Sequence, residues 1–238
     1  NPSVKIIHRV NECDIKREHT INIEPLLLKT MSIADHVVFI SKWLQEYFIN
    51  KYSLKLKKTN YILNGCNREE FYPIKKNINN RIKLVTHHWS NNYLKGFEIY
   101  NKLDQILPTL NIEFIFIGNY NKKYNPKNIK MILPTSGKQL GDIIRNCDIY
   151  ITATQNEPCG MHHLEGLSCG LPILYRRGGG AIKEVCKNVG EEFTDIKTLL
   201  EKLELIKNNY NQYRENIQYG YLGSNRCSME YYELINSL

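Results

Sequence analysis

The chain has 238 residues, 42% of them apolar, enough for one large domain or two small ones with packed cores. No apolar run approaches the roughly 18–20 residues that span a bilayer, and no signal-peptide pattern is visible at the N-terminus. The net charge of +8 suits anionic partners such as nucleotide diphosphates, acidic lipid surfaces or nucleic acid. It does not choose among them, because the lysines are spread through an Asn-, Ile- and Lys-rich sequence.

In chain order, strand and helix signals alternate, which predicts an α/β protein with parallel sheets. Val4 to Val10 reads as a strand, Glu24 to Ile33 as a helix and His36 to Ile40 as a strand. Ser41 is placed to cap a helix reaching about Lys51, and Asn60 to Leu63 forms another strand. Pro73 and the Asn-rich run to Asn80 suggest a linker, so residues 1–72 and 73–80 separate as a first unit and its connection. The clusters Lys55 to Lys58 and Lys75-Lys76 read as solvated loops.

A second unit begins at Arg81: a strand to Thr86, a helix from Gly96 to Leu107, strands at Ile112 to Ile117 and Lys130 to Leu133, and a helix from Ser136 to Asn146. Asp195 to Asn208 and the stretch from Glu215 onward read as helical. Residues 81–215 thus predict a complete doubly wound domain, with 216–238 as closing helices. Residues 1–72 supply only three strands, which predicts an incomplete N-terminal domain.

Seven scattered cysteines with no C-x-x-C spacing predict reduced thiols in a cytoplasmic protein, and neither a disulfide framework nor a zinc site. The pairs His87-His88 and His162-His163 are sequence neighbours whose side chains point in different directions, so a shared metal is not expected.

The densest signal is Glu157-Pro-Cys-Gly-Met-His-His-Leu-Glu165-Gly-Leu-Ser-Cys-Gly-Leu-Pro172, which follows the buried-strand run Asp148 to Thr152. A turn at Pro158 to Gly160 opens a helix that Gly170-Leu-Pro172 stops. Glycine at the helix mouth lets backbone N–H groups approach an anion, and the helix dipole favours negative charge there. The two carboxylates bracket this N-terminus, a pattern suited to a sugar carried on phosphate. A glycosidase pair would stand about 5–9.5 Å apart. Eight residues of unbroken helix would span about 12 Å, and the bend at Gly160 leaves the real distance open.

These residues resemble the donor-site signature of the retaining group 1 glycosyltransferases (family 4), which have the GT-B fold of two Rossmann-like domains. Other pieces follow in the same order: Ala34 to Ser41; Leu63-Asn-Gly-Cys-Asn67 with Phe71-Tyr-Pro73, where Asn67 stands for the usual Asp; Lys95-Gly96; and Phe114 to Gly118. The resemblance runs from about Lys5 to the C-terminus and implies that Cys227 to Leu238 crosses back onto the first domain. It implies Lys95 as the residue that neutralises the leaving diphosphate. It further implies that Glu157 and the backbone at Cys159, Gly160 and Met161 hold sugar and phosphate, and that Glu165 binds ribose. Gly118, Asn119, Leu133 and Pro134 would flank the base. An N-terminal-domain histidine often reaches the donor sugar, which nominates His8 as a third catalytic residue, and Asn11, Glu12 and Asp14 could meet the acceptor.

Two departures stand out. The loop His87 to Leu94 lacks the family's arginine before the lysine, so His88 or an asparagine replaces it, or phosphate binding is weaker. Gly178-Gly-Gly-Ala181, after Arg176-Arg177, offers either a second phosphate nest or a flexible turn. No D-x-D motif is present, which predicts transfer without a metal cofactor. The expected partners are a nucleotide-sugar donor and a glycan, lipid or small-molecule acceptor, with peripheral contact at a cytoplasmic membrane face. The rival readings are an inactive nucleotide-sugar-binding module and a nucleic-acid-binding protein. The latter is disfavoured by the lack of any recognisable binding motif.

Overall fold

The computed structural model describes residues 4–17, 22–78, 80–121 and 123–238. Residues 1–3 of the expected first unit and Asn79 of the expected linker lie outside them. Two parallel sheets form. The first has three strands in the order β1 (Ile7–Val10), β2 (His36–Phe39), β3 (Thr59–Tyr61). Between them run α1 (Glu24–Ile33) and α2 (Lys42–Tyr52). Ser41 caps α2 as its sequence suggests, its side chain accepting from Leu44 N at 3.1 Å.

The second sheet has six strands: β4 (Ile82–His88), β5 (Ile112–Gly118), β6 (Lys130–Ile132), β7 (Ile149–Thr152), β8 (Ile173–Arg176) and β9 (Gly190–Phe193). Their spatial order is β6-β5-β4-β7-β8-β9, all parallel. Chain direction reverses across the sheet between β4 and β7, the switch point where open α/β sheets bind ligands. The intervening helices are α3 (Phe97–Ile106), α4 (Gly137–Arg145), α5 (Met161–Ser168) and the short α6 (Ile182–Val185). β9 carries Gly-Glu-Glu-Phe and has no apolar run to announce it.

One buried cluster joins the units: Val10, Phe39, Leu44 and Phe48 from the first share it with Leu164, Leu167 and Ile182 from the second. A separate core under α3 and α7 (Ile196–Asn208) seals the other face of the large sheet. The linker is pinned rather than loose. Arg214 donates to the carbonyls of Ile74 (2.6 Å) and Lys76 (2.7 Å), and Lys76 pairs with buried Asp148 at 2.7 Å.

The helix expected from Glu215 onward is not continuous. α8 (Tyr210–Glu215) ends there, α9 (Tyr219–Leu222) is a single turn, and α10 (Ser224–Asn236) follows an extended Gly223. The break lets the chain turn back across the first unit. Cys66 N donates to Leu222 O and Ser224 N to Cys66 O, each at 2.9 Å. A Cβ on Gly65 would stand 2.3 Å from Gly223 O, so only glycine permits this approach. α10 then lays Leu234 against Val38 and Ile62 of the small sheet. Arg226 ties it down through the carbonyls of Leu63 (2.9 Å) and Asn64 (2.8 Å).

Candidate active site

A cleft of about 300 Å³ opens between the two sheets, beyond the C-terminal ends of β1, β4 and β7. Its far wall is the N-terminus of α5. Gly160 precedes that helix because a Cβ there would meet the His162 ring at 2.6 Å and Glu157 Cγ at 3.0 Å. Cys159, Gly160, Met161, Glu157 and Glu165 all line the cleft. The turn at 158–160 does what unbroken helix would not, placing both carboxylates on one hollow.

Glu157 is buried, and its backbone is held by the glycine loop: Ala181 N donates to Glu157 O at 3.0 Å, and Asn156 N to Gly178 O at 2.9 Å. The Gly178 to Ala181 segment thus backs the Glu157 loop, through the carbonyls of Gly178 and Gly179 and the N–H of Ala181. Lys95 pairs directly with Glu157 Oε2, and Lys16 approaches Oε1 at 3.4 Å. Burial alone would raise the Glu157 pKa, but Lys95 and then Lys16 hold it below the ordinary 4.5. Lys95 ends a 3-10 turn (Tyr93–Lys95) whose start is capped by Asn92, with Leu94 N donating to Asn92 Oδ1 at 2.9 Å. Gln155 N donates to Leu94 O at 2.9 Å, locking the lysine loop to the glutamate loop.

Glu165 lies one turn into α5, with its Oε2 2.6 Å from His87 Nε2. The other ring nitrogen of His87 is 3.0 Å from the Tyr150 hydroxyl, which also accepts from His87 N at 3.1 Å. A carboxylate only accepts, so Nε2 carries the hydrogen and Nδ1 accepts from Tyr150. Gly166 lets α5 settle on this tyrosine, since a Cβ would stand 2.7 Å from its ring.

Gly118, Asn119, Leu133 and Pro134 gather with Trp89, Ser90 and Tyr120 in an adjoining hollow. Asn119 N donates to His88 O at 2.9 Å and its side chain to Trp89 O at 2.8 Å. At Gly118 (φ 122°) a Cβ would strike His88 O at 2.0 Å, so β4 and β5 end in close register only with glycine.

Two expectations need correction. His8 does not reach the cleft: its Nε2 bonds Thr30 Oγ1 at 3.0 Å on the α1 face, while Arg9 and Asn11 line the opening. Strand alternation sends neighbours to opposite faces, and the cleft receives the other one. His88 lines the cleft but is not set up as a cation in place of the arginine. Its Nε2 turns to Tyr100 (3.1 Å) and Thr86 (3.2 Å), and burial followed by nearby Lys95 pushes its pKa well below 6.5. His162 is likewise depressed, and His163 falls to about 3, chiefly by burial. Arg9, expected with His8 to face the cleft, does line it, whereas Lys16, Asn64, Trp89 and His87 were given no role from sequence. Asn64 bridges the units, accepting from Arg9 (2.7 Å) and donating to Cys159 O (3.3 Å).

Among the described residues no group of three or more His, Cys, Asp or Glu could hold a metal ion. No helix among them is long and apolar enough to cross a membrane. The family profile for glycosyl transferases group 1 matches residues 95–222, more than half of the 238.

The chain belongs to the group 1 glycosyl transferases.

A search of curated protein sequences returned no match. Solved structures similar to this glycosyl transferase include sucrose-phosphate synthase from Thermosynechococcus elongatus, at 15% identity and TM-score 0.76, with 97% of this chain and 67% of that one covered. Anabaena HepE in complex with UDP-glucose aligns at 16% identity and TM-score 0.75, covering 98% and 72%. A glycosyltransferase from Rickettsia africae aligns at 15% and 0.69, covering 96% and 69%. The two parallel α/β units of this glycosyl transferase share the GT-B architecture of these neighbours.

Proposed function

We propose that the cleft binds a nucleotide sugar and transfers the sugar to an acceptor hydroxyl with retention of configuration and without a divalent ion. The carrying observation is the Lys95–Glu157 pair at the N-terminus of α5, over the switch point between β4 and β7. The Anabaena neighbour was solved with UDP-glucose, which supports a nucleoside diphosphate sugar as donor.

In this reading the diphosphate lies between Lys95 and the free N–H groups of α5, where growing negative charge is met by a cation and a helix dipole. Glu165, held by His87, grips the ribose. Gly118, Asn119, Leu133 and Pro134 flank the base, and the Glu157 backbone and carboxylate orient the sugar. The C1–O bond to phosphate breaks with its electron pair left on the phosphate. The acceptor oxygen bonds C1 from the same face, and its proton passes to the departing phosphate oxygen. Arg9 and Asn11 form the acceptor side, which takes a glycan, lipid or small-molecule hydroxyl. Seven unpaired cysteines favour cytoplasmic work, with basic surface available for a membrane face.

The test is incubation with UDP-, GDP- and ADP-sugars and an acceptor mixture in EDTA, following nucleotide release and the anomeric proton coupling of the product. Release in EDTA with a retained anomer supports the reading. An inverted anomer, or activity that returns only with Mg²⁺ or Mn²⁺, overturns the corresponding part. Tight donor binding with no transfer to any acceptor would favour a binding module.

A further inference from the structure

The cleft floor holds one carboxylate between two lysines that come from different units. Lys95 pairs with Glu157 Oε2 from the large unit, and Lys16 lies 3.4 Å from Oε1, carried on the small unit. One cation balances one carboxylate, so the second is surplus to that pairing. Lys16 also lies 3.5 Å from Glu12 Oε1, but Glu12 is shared with Arg17 at 3.4 Å and with Cys13 N at 3.2 Å. Around the lining, Arg9, Lys16 and Lys95 outnumber the carboxylates Glu157 and Glu165, with Arg17 left to its Glu12 partner. The surplus has the sign that a sugar-linked diphosphate needs.

Lys16 is also held in place. Its 3-10 turn, Asp14–Arg17, is fastened at its start by Asp14 N donating to buried Glu24 at 2.8 Å. Asn92 Nδ2 donates to Lys16 O at 3.2 Å, so the same asparagine that caps the Lys95 turn positions Lys16. The loop from His87 to Leu94 contains no lysine or arginine, and the His88 ring is buried and turned to Tyr100 and Thr86.

Resting on the nucleotide-sugar reading above, we propose that Lys16 is a second catalytic cation, completing the diphosphate site from the opposite unit. As the bond to C1 breaks and its electron pair stays on the phosphate, Lys16 and Lys95 together meet the new charge. Charge stabilisation then depends on the two units being closed on each other.

Lys16→Met keeps the stem and removes the charge, and Lys16→Arg restores a charge at similar reach. Turnover is measured on the full chain with whichever of UDP-, GDP- or ADP-glucose the parent binds, and affinity with the matching free mono- and diphosphates. Lys16→Met should lower kcat about 10- to 100-fold and loosen the diphosphate more than the monophosphate, and Lys16→Arg should recover most of both. Parent-like kcat in Lys16→Met, or equal losses in the Met and Arg variants, overturns the proposal. Lys16→Gln repeats the measurement if Lys16→Met does not fold; a chain that tolerates neither gives Lys16 a structural role and also overturns it. If Lys95→Ala and Glu165→Ala are parent-like too, the donor reading itself fails. If those two lose function and Lys16→Met does not, only this inference falls.

Discussion

Glu165 Oε2 and His87 Nε2 stand 2.6 Å apart, and the Tyr150 hydroxyl fixes the far side of the imidazole at 3.0 Å. The carboxylate is thereby aimed before any ligand arrives. Glu165→Ala should weaken donor binding by about 1.5–3 kcal/mol, the scale of a hydrogen bond to a charged group, with kcat changed far less. Tyr150→Phe keeps the ring and releases the histidine, so it should cost a smaller share of the same affinity. Calorimetry on both variants checks this; parent-like affinity in Glu165→Ala removes the ribose assignment.

Lys95 should behave differently, because the charge it faces grows as the glycosidic bond breaks. Lys95→Ala is expected to lower kcat by about 10²-fold or more, the loss seen when one electrostatic stabiliser is removed. It also strands the Glu157 carboxylate, which is buried and has Lys16 left as its cation. Steady-state kinetics beside single-turnover measurements would separate these effects. A rise in KM alone would contradict the role.

Glu24 predicts an acid-limb effect. It is buried, yet Oε1 accepts from Asp14 N and the Tyr47 hydroxyl, each at 2.8 Å, and Oε2 from Lys51 at 2.6 Å and Tyr52. Burial by itself would raise its pKa; Lys51 and Tyr52 foremost bring it down to about 2 from 4.5. The folded pKa is depressed, so this stability is fully present above pH 4.5 and is lost as pH falls toward 2. Urea midpoints measured through that window should fall more steeply in the parent than in Glu24→Gln. Parallel curves would contradict it.

Gly160→Ala is a steric test. The added methyl meets His162 at 2.6 Å and Glu157 Cγ at 3.0 Å, so either the ring or the catalytic loop must move. Expected losses are about 1–3 kcal/mol in stability, typical of overpacking, together with weaker donor binding. Thermal melts and donor titration read the two separately. A parent-like variant in both would show that the loop has slack the structure does not display.

Thiol reactivity is the simplest check on packing. Six of the seven cysteines are buried and Cys227 is half-buried. Burial pushes the thiols of Cys13, Cys147, Cys159 and Cys169 up to about 12, far from the reactive thiolate range. A disulfide reagent on the folded protein should label Cys227 first, the others only with unfolding. Fast labelling of Cys159 would show the cleft wall to be open.

Much of this was legible in the sequence where local chemistry decides. The helix Glu24–Ile33 and the Ser41 cap followed from local propensity, and the Glu157 to Pro172 segment announced its own turn and helix. Polar β9 was not legible, since an edge strand of Gly-Glu-Glu-Phe has no apolar pattern to read. Alternation separates the side chains of His87 and His88, yet both border the cleft, and His8 and Arg9 were expected to face it together although only Arg9 does. Lys16 was hidden for a related reason. Its contact with Glu157 exists only after two units far apart in sequence have packed.

The paired crossing at Cys66 and Gly223 has a mechanical consequence. Two chain segments pass between the units side by side, joined by hydrogen bonds at 2.9 Å and jammed together by the bare Gly65. A side chain at residue 65 would therefore push on both crossings at once, so the seating of the large unit against the small one, and with it the approach of Lys16 to Glu157, hangs on one missing methyl group.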